Sequence, residues 1–393
     1  MRESIVYLDH AATTALDPVV LEAMLPYLAG PPGNPSSIHQ YGRAALQALD
    51  DAREQVALIL DCSHREIIFT SGGSESISLA IKGVALAQRQ RGNHLIVSAI
   101  EHHAVLHAAE YLTRFGFELT VLPVDPAGLV SPADLRAALR PTTVLVSVMY
   151  ANNEIGTIQP IAELGAICRE HGVLFHTDAV QAPGCLPLDV DSLQVDLLSL
   201  TAHKFYGPKG AGLLYLRRGV PLLPQISGGA QERRRRAGTE NVPAIVGLAV
   251  ALARAEASRP AYVTRMTSLR DHLIDGLLAR IPDCWLNGDH NQRMATNANL
   301  GFGCVEGESM LLLLDQAGIC ASSGSACTSG SIEPSHVLTA LGLPADRANG
   351  SVRFSLGHST TPEAIEYVVA TIPPMIERLR AVAPCPPEAV VFG

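Results

Sequence analysis

Short apolar runs rich in β-branched residues alternate with longer amphipathic segments over the first two-thirds of the chain. The amphipathic segments, such as residues 76–88 and 161–171, place apolar residues three and four positions apart, as a helix with one buried face requires. Strands separated by helices of this length predict an α/β fold with a mostly parallel sheet covered on both faces. The predicted strands are residues 66–70, 94–99, 143–149, 173–177, 195–200 and 212–216.

This alternation gives way to a long helical pattern at residues 244–270, after which strand-like segments flank a Ser/Gly-rich stretch at residues 322–330. A chain of 393 residues is too long for one ordinary core, so we predict two domains. The large domain is predicted to span residues 14–258. Residues 1–13 and 259–393 are predicted to form a smaller α+β domain that carries the Ser/Gly-rich stretch.

The composition is that of a packed protein rather than a disordered one, with 47% apolar and 17% charged residues. The net charge of −9 gives no support for a nucleic-acid partner. The sequence shows neither a secretory signal nor an apolar run long enough to span a membrane, so we expect a cytoplasmic protein. Its eight cysteines are scattered without a C-x-x-C pair, and we expect no metal site.

Reactive side chains follow the ends of several predicted strands, where open parallel sheets bind their ligands. A turn at residues 71–74 leads into a helix, whose free N–H groups suit a phosphate. Asp178 follows an apolar run and needs a cationic partner, and Lys204, one of only three lysines, follows the next strand. Each feature alone has a commoner structural explanation. Together they fit pyridoxal phosphate (PLP), through its phosphate, its ring nitrogen and its aldehyde.

Ten segments spread in order along the chain carry further information: YLDHAATT (7–14), GNPSSIH (33–39), FTSGGSES (69–76), EHHAVL (101–106), NNEIGTIQP (152–160), HTDAVQ (176–181), TAHKFYGPKG (201–210), RAGTEN (236–241), SSGSACTSG (322–330) and VRFSLG (352–357). Together they resemble the bacterial cysteine desulfurases, which belong to the class V aminotransferase group of fold-type I PLP enzymes. The resemblance implies a mostly parallel seven-stranded sheet in the large domain. It also implies conversion of L-cysteine to L-alanine, with the sulfur passed to a cysteine of the enzyme.

The resemblance also implies which residues hold the cofactor. Lys204 would form a Schiff base with the aldehyde of the cofactor. His102 would stack on the cofactor ring and transfer protons, and Asp178 would pair with the ring nitrogen. Thr239 would reach the phosphate of the partner subunit in a homodimer. The other implied cofactor-binding residues are Gln181 and Asn153 near the ring, and Gly73, Ser74, Thr201 and His203 near the phosphate.

On the substrate side, the resemblance implies that Arg353 binds the carboxylate of cysteine, for which its planar guanidinium is suited. The other interpretation of Arg353 is a structural salt bridge. Asn153 and Asn34 are further substrate-side candidates. Cys327, within the Ser/Gly-rich stretch, would accept the sulfur as a persulfide and pass it to an acceptor protein whose identity the sequence leaves open. Iron–sulfur clusters, tRNA, other cofactors and modified DNA are the possible destinations.

Two alternatives remain open at this point. A selenocysteine lyase, or a lyase that releases free sulfide from cysteine, could use the same lysine and aspartate, and Cys327 separates these enzymes from a desulfurase. Outside the enzyme class, the basic run at residues 233–236 would be a contact patch for nucleic acid. Because this run is short and lies in an acidic chain, we favour the enzyme.

Overall fold

The structure, a computed structural model, describes residues 5–323 and 334–382. Its strands are β1 (Val6–Tyr7), β2 (Ile67–Thr70), β3 (His94–Ser98), β4 (Glu118–Leu122), β5 (Thr143–Ser147), β6 (Leu174–Asp178), β7 (Leu197–Thr201), β8 (Gly212–Leu216), β9 (Cys284–Leu286), β10 (Asn297–Phe302), β11 (Ile319–Cys320) and β12 (Ser351–Ser355). Its helices are α1 (Pro18–Leu28), α2 (Gln40–Leu60), α3 (Gly73–Ala87), α4 (His103–Thr113), α5 (Pro132–Ala138), α6 (Ile161–Glu170), α7 (Gln231–Arg234), α8 (Val242–Leu278), α9 (Gly307–Gln316), α10 (His336–Ala340), α11 (Ala345–Asn349) and α12 (Pro362–Val382).

Seven strands form the large sheet, in the order β2-β8-β7-β6-β5-β3-β4. The pairs from β7 to β4 are parallel, whereas β8 runs antiparallel to both of its neighbours. Apolar side chains alternate between two cores: Leu95 and Val97 pack with α3 and α4 on one face, and Ile96 packs with α2, α6 and α8 on the other. The predicted α/β fold with a mostly parallel seven-stranded sheet is confirmed.

All six predicted strands occur, with ends that differ by up to two residues. The pattern does not predict β4, because this edge strand leaves most of its residues accessible and so lacks an apolar run. The long helical pattern corresponds to α8, which continues to Leu278 with Pro260 inside it. None of the helices within the described ranges is long and apolar enough to cross a membrane.

A second core surrounds the three-stranded antiparallel sheet β12-β10-β9, with α9, α12 and the C-terminal part of α8 packed against it. The first part of α8, around Leu248, belongs instead to the core of the large sheet. A parallel pair, β1 with β11, ties the N-terminal segment to the second core. The boundary predicted between residues 258 and 259 therefore falls inside α8, and the division into two domains stays a prediction.

Candidate active site

A cavity of about 410 Å³ lies where β5, β6 and β7 end. The large sheet brings residues there from separate segments, because the carboxyl ends of parallel strands share one edge of the sheet. Most of the predicted site residues line this cavity: Gly73, Ser74, His102, Asn153, Asp178, Gln181, Thr201, His203, Lys204 and Arg353.

Lys204 lies on a 3₁₀ turn that directly follows β7. Its Nζ donates to the carbonyl oxygens of Ala11, at 2.5 Å, and Ala12, at 2.8 Å. The N-terminal segment is in turn fixed to this turn, because the N–H and the hydroxyl of Thr14 both donate to the carbonyl of His203. These two carbonyl oxygens hold the amine at the cavity wall and stabilise its charge.

Asp178 is the last residue of β6, and its side chain is buried at the cavity. One carboxylate oxygen accepts the N–H of Val180 at 3.0 Å. Burial raises the pKa of Asp178 to about 6, although the Val180 N–H and the charge of Lys204 act in the opposite direction. Because burial disfavours the ionised carboxylate, the protonated ring nitrogen of PLP would supply a positive charge that stabilises it.

His102 is the N-cap of α4, where its Nδ1 accepts the N–H of Ala104 at 3.0 Å. The proton of the neutral ring is therefore on Nε2. Burial, followed by the charge of Lys204, lowers the pKa of His102 to about 4, so the ring is neutral at physiological pH. A neutral imidazole at the cavity wall can stack on the ring of the cofactor and donate a hydrogen bond.

The phosphate end of the cavity is formed by the N-terminus of α3, with Gly73 and Ser74 in its first turn. Gly72 precedes the helix and supplies no side chain to cap its N–H groups, which suits an anion. Strand β8 approaches this turn closely, since a Cβ atom at Gly212 would lie 2.7 Å from the backbone of Gly72. Thr201 and His203 complete this part of the wall. The residues present therefore fit PLP at both its phosphate and its ring nitrogen.

Arg353 lies on β12 and is buried. Its guanidinium donates to a carboxylate oxygen of Asp9 at 2.8 Å and to the carbonyl of Asn153 at 3.0 Å. The structure thus contains the salt bridge that was the other interpretation of this residue. Because Arg353 also lines the cavity, its role toward a substrate carboxylate stays a prediction, in which the substrate would compete with Asp9.

Two predicted site residues within the described ranges do not line this cavity. Thr239 lines a separate pocket together with Ser71 and Arg236. Asn34 is exposed in a turn, where its side chain accepts the N–H of Ser36 at 2.9 Å. Cys327 lies outside the described residues. The roles of all three stay predictions.

Sequence reasoning missed Glu101, a fully buried acid next to His102. Its Oε1 accepts the hydroxyl of Ser98 at 2.5 Å and the N–H of Met149 at 2.7 Å. Burial raises the pKa of Glu101 to about 8, so this acid is mostly neutral at physiological pH and adds little negative charge near Asp178. The signal in the sequence is an acidic residue two positions after the predicted strand 94–99, where an exposed turn is the commoner explanation.

The basic run at residues 233–236 is held against the protein. Arg236 forms an ion pair with Glu75 at 2.7 Å, and Arg233 and Arg235 donate to backbone carbonyls of residues 64 and 65. These contacts occupy most of the run, which weakens its interpretation as a nucleic-acid patch. Within residues 5–323 and 334–382, no group of three or more histidine, cysteine or acidic side chains could hold a metal ion.

The fold and the cavity together define a fold-type I PLP enzyme, with a lysine and a buried aspartate at the carboxyl edge of a mostly parallel seven-stranded sheet. The family model for class V aminotransferases matches residues 6–368, and the chain belongs to this family. Its cofactor is therefore PLP.

Named relatives agree with this assignment. The chain is 53% identical over 383 residues to the cysteine desulfurase IscS of Methanosarcina thermophila, covering 98% of this chain and 95% of the relative. A solved NifS-like protein superposes with a TM-score of 0.90 at 38% identity, covering 95% of this chain and all of the other. The structure of SspA in complex with cysteine matches at 38% identity and a TM-score of 0.79, covering 89% of this chain and 98% of SspA.

Proposed function

We propose that this protein is a cysteine desulfurase, which converts L-cysteine to L-alanine and transfers the sulfur to Cys327 for delivery to an acceptor. The observation that carries the proposal is the single cavity that holds Lys204, Asp178 and Arg353 in a chain so similar to the named desulfurases. The cytoplasmic location and the identity of the acceptor stay predictions of the sequence.

Individual residues of the chain have separate roles in this reaction. Bound PLP would withdraw electrons from the substrate carbon atoms. Asp178 would keep the ring nitrogen protonated, and the amine of Lys204 would remove the proton from the α-carbon of cysteine. Neutral His102 would orient the cofactor ring by stacking on it and by donating a hydrogen bond from Nε2. Arg353 would hold the substrate carboxylate and so fix the α-carbon next to Lys204.

Sulfur transfer requires a thiolate, which we assign to Cys327. The thiolate attacks the substrate sulfur, so an S–S bond forms while the Cβ–S bond of the substrate breaks. The electron pair of that bond stays on the carbon side, which takes up protons and leaves as alanine. The net reaction converts cysteine and the enzyme thiol into alanine and an enzyme persulfide, and needs no external oxidant or reductant.

The lysine assignment makes the first prediction. The purified protein with PLP should release alanine from L-cysteine, and Lys204→Ala should lower the rate by about 10²–10⁴-fold, as loss of a catalytic base does. Borohydride reduction should fix the cofactor covalently to a peptide that contains Lys204, as read by mass spectrometry. The matched controls are Lys82→Ala and Lys209→Ala, which should keep wild-type turnover. Attachment of the cofactor to Lys82 or Lys209 would refute the assignment.

We further propose that the active unit is a homodimer. Leu21, Leu25 and Leu28 are spaced by four and three residues, so they share one face of α1, and their side chains are 42%, 48% and 58% exposed. Ile38 is 91% exposed nearby in the chain. A row of exposed leucines is typical of a protein–protein contact surface. A second copy would cover this surface and allow Thr239 of one subunit to contact the phosphate held by the other.

Mixed dimers test the role of Thr239. When subunits carrying Thr239→Ala are combined with subunits carrying Lys204→Ala, one of the two sites in each hybrid has an intact lysine and an intact Thr239. Hybrids purified through two different tags should therefore regain about half of the wild-type rate at limiting PLP, because one of the two sites of a C2 dimer is restored.

The matched control replaces Thr239→Ala by Thr201→Ala in the same experiment. Thr201 lines the cavity of its own chain, so this pair cannot restore an intact site and should show no recovery. A Thr239→Ala hybrid that recovers no more activity than the Thr201→Ala hybrid would contradict the proposal, as would a fully active monomer.

A further inference from the structure

A chain of hydrogen bonds crosses the interior of the large sheet beneath the cavity. Ser147 Oγ lies 2.8 Å from His176 Nδ1, and His176 Nε2 lies 3.0 Å from Ser199 Oγ. Ser76 Oγ lies 2.7 Å from both Ser199 Oγ and the carbonyl oxygen of Leu213. All four side chains are buried, with exposures of 0–1%. The chain therefore links β5, β6, β7 and β8 to the first turns of α3.

The carbonyl of Leu213, at one end of this chain, determines which atom is the donor in each of its hydrogen bonds. A carbonyl only accepts, so the hydroxyl of Ser76 donates to Leu213 and accepts from Ser199. Ser199 then accepts the Nε2 proton of His176, which leaves Nδ1 to accept from Ser147. Burial lowers the pKa of His176 to about 3, so the ring is neutral, as this arrangement requires. Each of the four side chains has a hydrogen-bond partner, which a buried polar network needs.

This network lies below the residues that are assigned to the cofactor. Residues two apart on a strand share one face of the sheet. His176 therefore lies on the same face as Asp178, and Ser199 lies on the same face as Thr201, each about 7 Å further from the cavity. Ser76 stands one helical turn after Gly73 in α3. The network thus joins the three segments that carry the phosphate contacts and the ring contact, directly below the contacting residues.

We infer that Ser76, His176 and Ser199 are positioning residues for PLP. Their hydrogen bonds fix the N-terminus of α3 relative to β6 and β7, and so set the separation between the phosphate site and Asp178. The neighbouring side chains on this face, such as Leu197 and Leu214, are apolar, so apolar packing could fill the same space. Apolar contacts have no preferred direction, whereas a fully paired hydrogen-bond chain defines a register. The inference rests on the assignment of PLP but not on desulfurase activity.

The test compares the affinity of the cofactor-free protein for PLP and for pyridoxal, which lacks the phosphate. Ser199→Ala removes the hydroxyl that His176 and Ser76 share. PLP must reach both the phosphate site and the ring site, whereas pyridoxal uses only the ring site. Ser199→Ala should therefore lower the affinity for PLP by about tenfold or more, as expected if a shifted α3 loses one hydrogen bond to the charged phosphate. The affinity for pyridoxal should change by less than about threefold. Ser76→Ala, a smaller change at the helix end, should shift the PLP-to-pyridoxal ratio in the same direction.

The matched control is His94, a second buried histidine of the same sheet, held between the hydroxyls of Thr143 and Thr120 at 2.8 Å each. It lies at the start of β3, away from the cavity. His94→Asn should lower the melting temperature yet keep the wild-type ratio of PLP to pyridoxal affinity. If Ser199→Ala and Ser76→Ala also lower the melting temperature without changing that ratio, the network is only structural and the inference is wrong. A changed ratio in a protein that does not turn over cysteine would support the inference and count against the desulfurase proposal alone.

Discussion

Replacing Cys327 with serine is expected to lower alanine release from L-cysteine by at least about 10³-fold, the order of loss seen when a nucleophile is removed. The cofactor and the substrate carboxylate are assigned to Lys204, Asp178 and Arg353, so Cys327→Ser should bind PLP and cysteine normally. It should hold no persulfide, because a serine hydroxyl is too weakly acidic to attack sulfur at neutral pH. Alanine release and persulfide labelling, measured together, check this result.

Cys320→Ser provides the matched control. Cys320 ends β11, seven positions before Cys327, and burial raises the pKa of its thiol, which disfavours the thiolate. We expect this variant to keep most of the wild-type rate. Selenocysteine is a second probe, because selenium leaves carbon more readily than sulfur and could be released without the thiolate. If Cys327→Ser still desulfurates cysteine at near the wild-type rate, Cys327 is not the acceptor and a lyase becomes the better assignment.

The fold could be predicted where buried residues form apolar runs in the local sequence. Strands β5 and β8 are buried along their whole length, so their apolar runs mark them clearly. Strand β4 has mostly accessible residues and gives no such run, although it pairs with β3 along five residues. The helical pattern at residues 244–270 ends eight residues before α8 does at Leu278, although Leu273, Ile274 and Leu277 beyond it are buried in the second core.

The residues of the candidate site could likewise be predicted only in part. Residues next to strand ends, such as Asp178 and Lys204, could be placed at the cavity because the position of a strand end follows from the sheet. The contact between Arg353 and Asp9 joins residues 344 positions apart, which no local pattern predicts. His176 and Ser199 were counted as ordinary strand residues. Only the alignment of neighbouring strands shows that their polar atoms meet.

Two titratable side chains near Asp178, His102 and Glu101, are uncharged or mostly uncharged at physiological pH, whereas Lys204 carries a positive charge. Burial keeps His102 uncharged by lowering its pKa and keeps Glu101 mostly uncharged by raising its pKa. Of these side chains, Asp178 is the one whose ionised form PLP would stabilise directly. Among the side chains that line the cavity, Asp178 is therefore the acid that a bound cationic ring would meet, and its burial strengthens that attraction.

Asp178→Asn should therefore lower the rate of alanine release by about 10²–10⁴-fold, since the ring nitrogen would lose the partner that keeps its proton. The amide has the same shape as the carboxyl and can still accept the N–H of Val180, so we expect the fold to be preserved. Asp196→Asn is the matched control. Burial raises the pKa of Asp196 as well, but it precedes β7 at the opposite edge of the sheet and pairs with Arg217, so its replacement should leave turnover nearly unchanged.

The pH dependence of PLP affinity distinguishes loss of charge from loss of shape. Because the pKa of Asp178 is raised to about 6 in the cofactor-free protein, the carboxyl takes up a proton as the pH falls from 7 to 5. The protonated form cannot attract the cationic ring nitrogen, so wild-type affinity for PLP should fall over this range. Asp178→Asn should bind PLP more weakly at pH 7 and should lack that part of the pH dependence, which titration at pH 5, 6 and 7 would measure. Equal pH dependence in both proteins, or turnover by the variant within tenfold of wild type, would show that Asp178 does not hold the ring nitrogen.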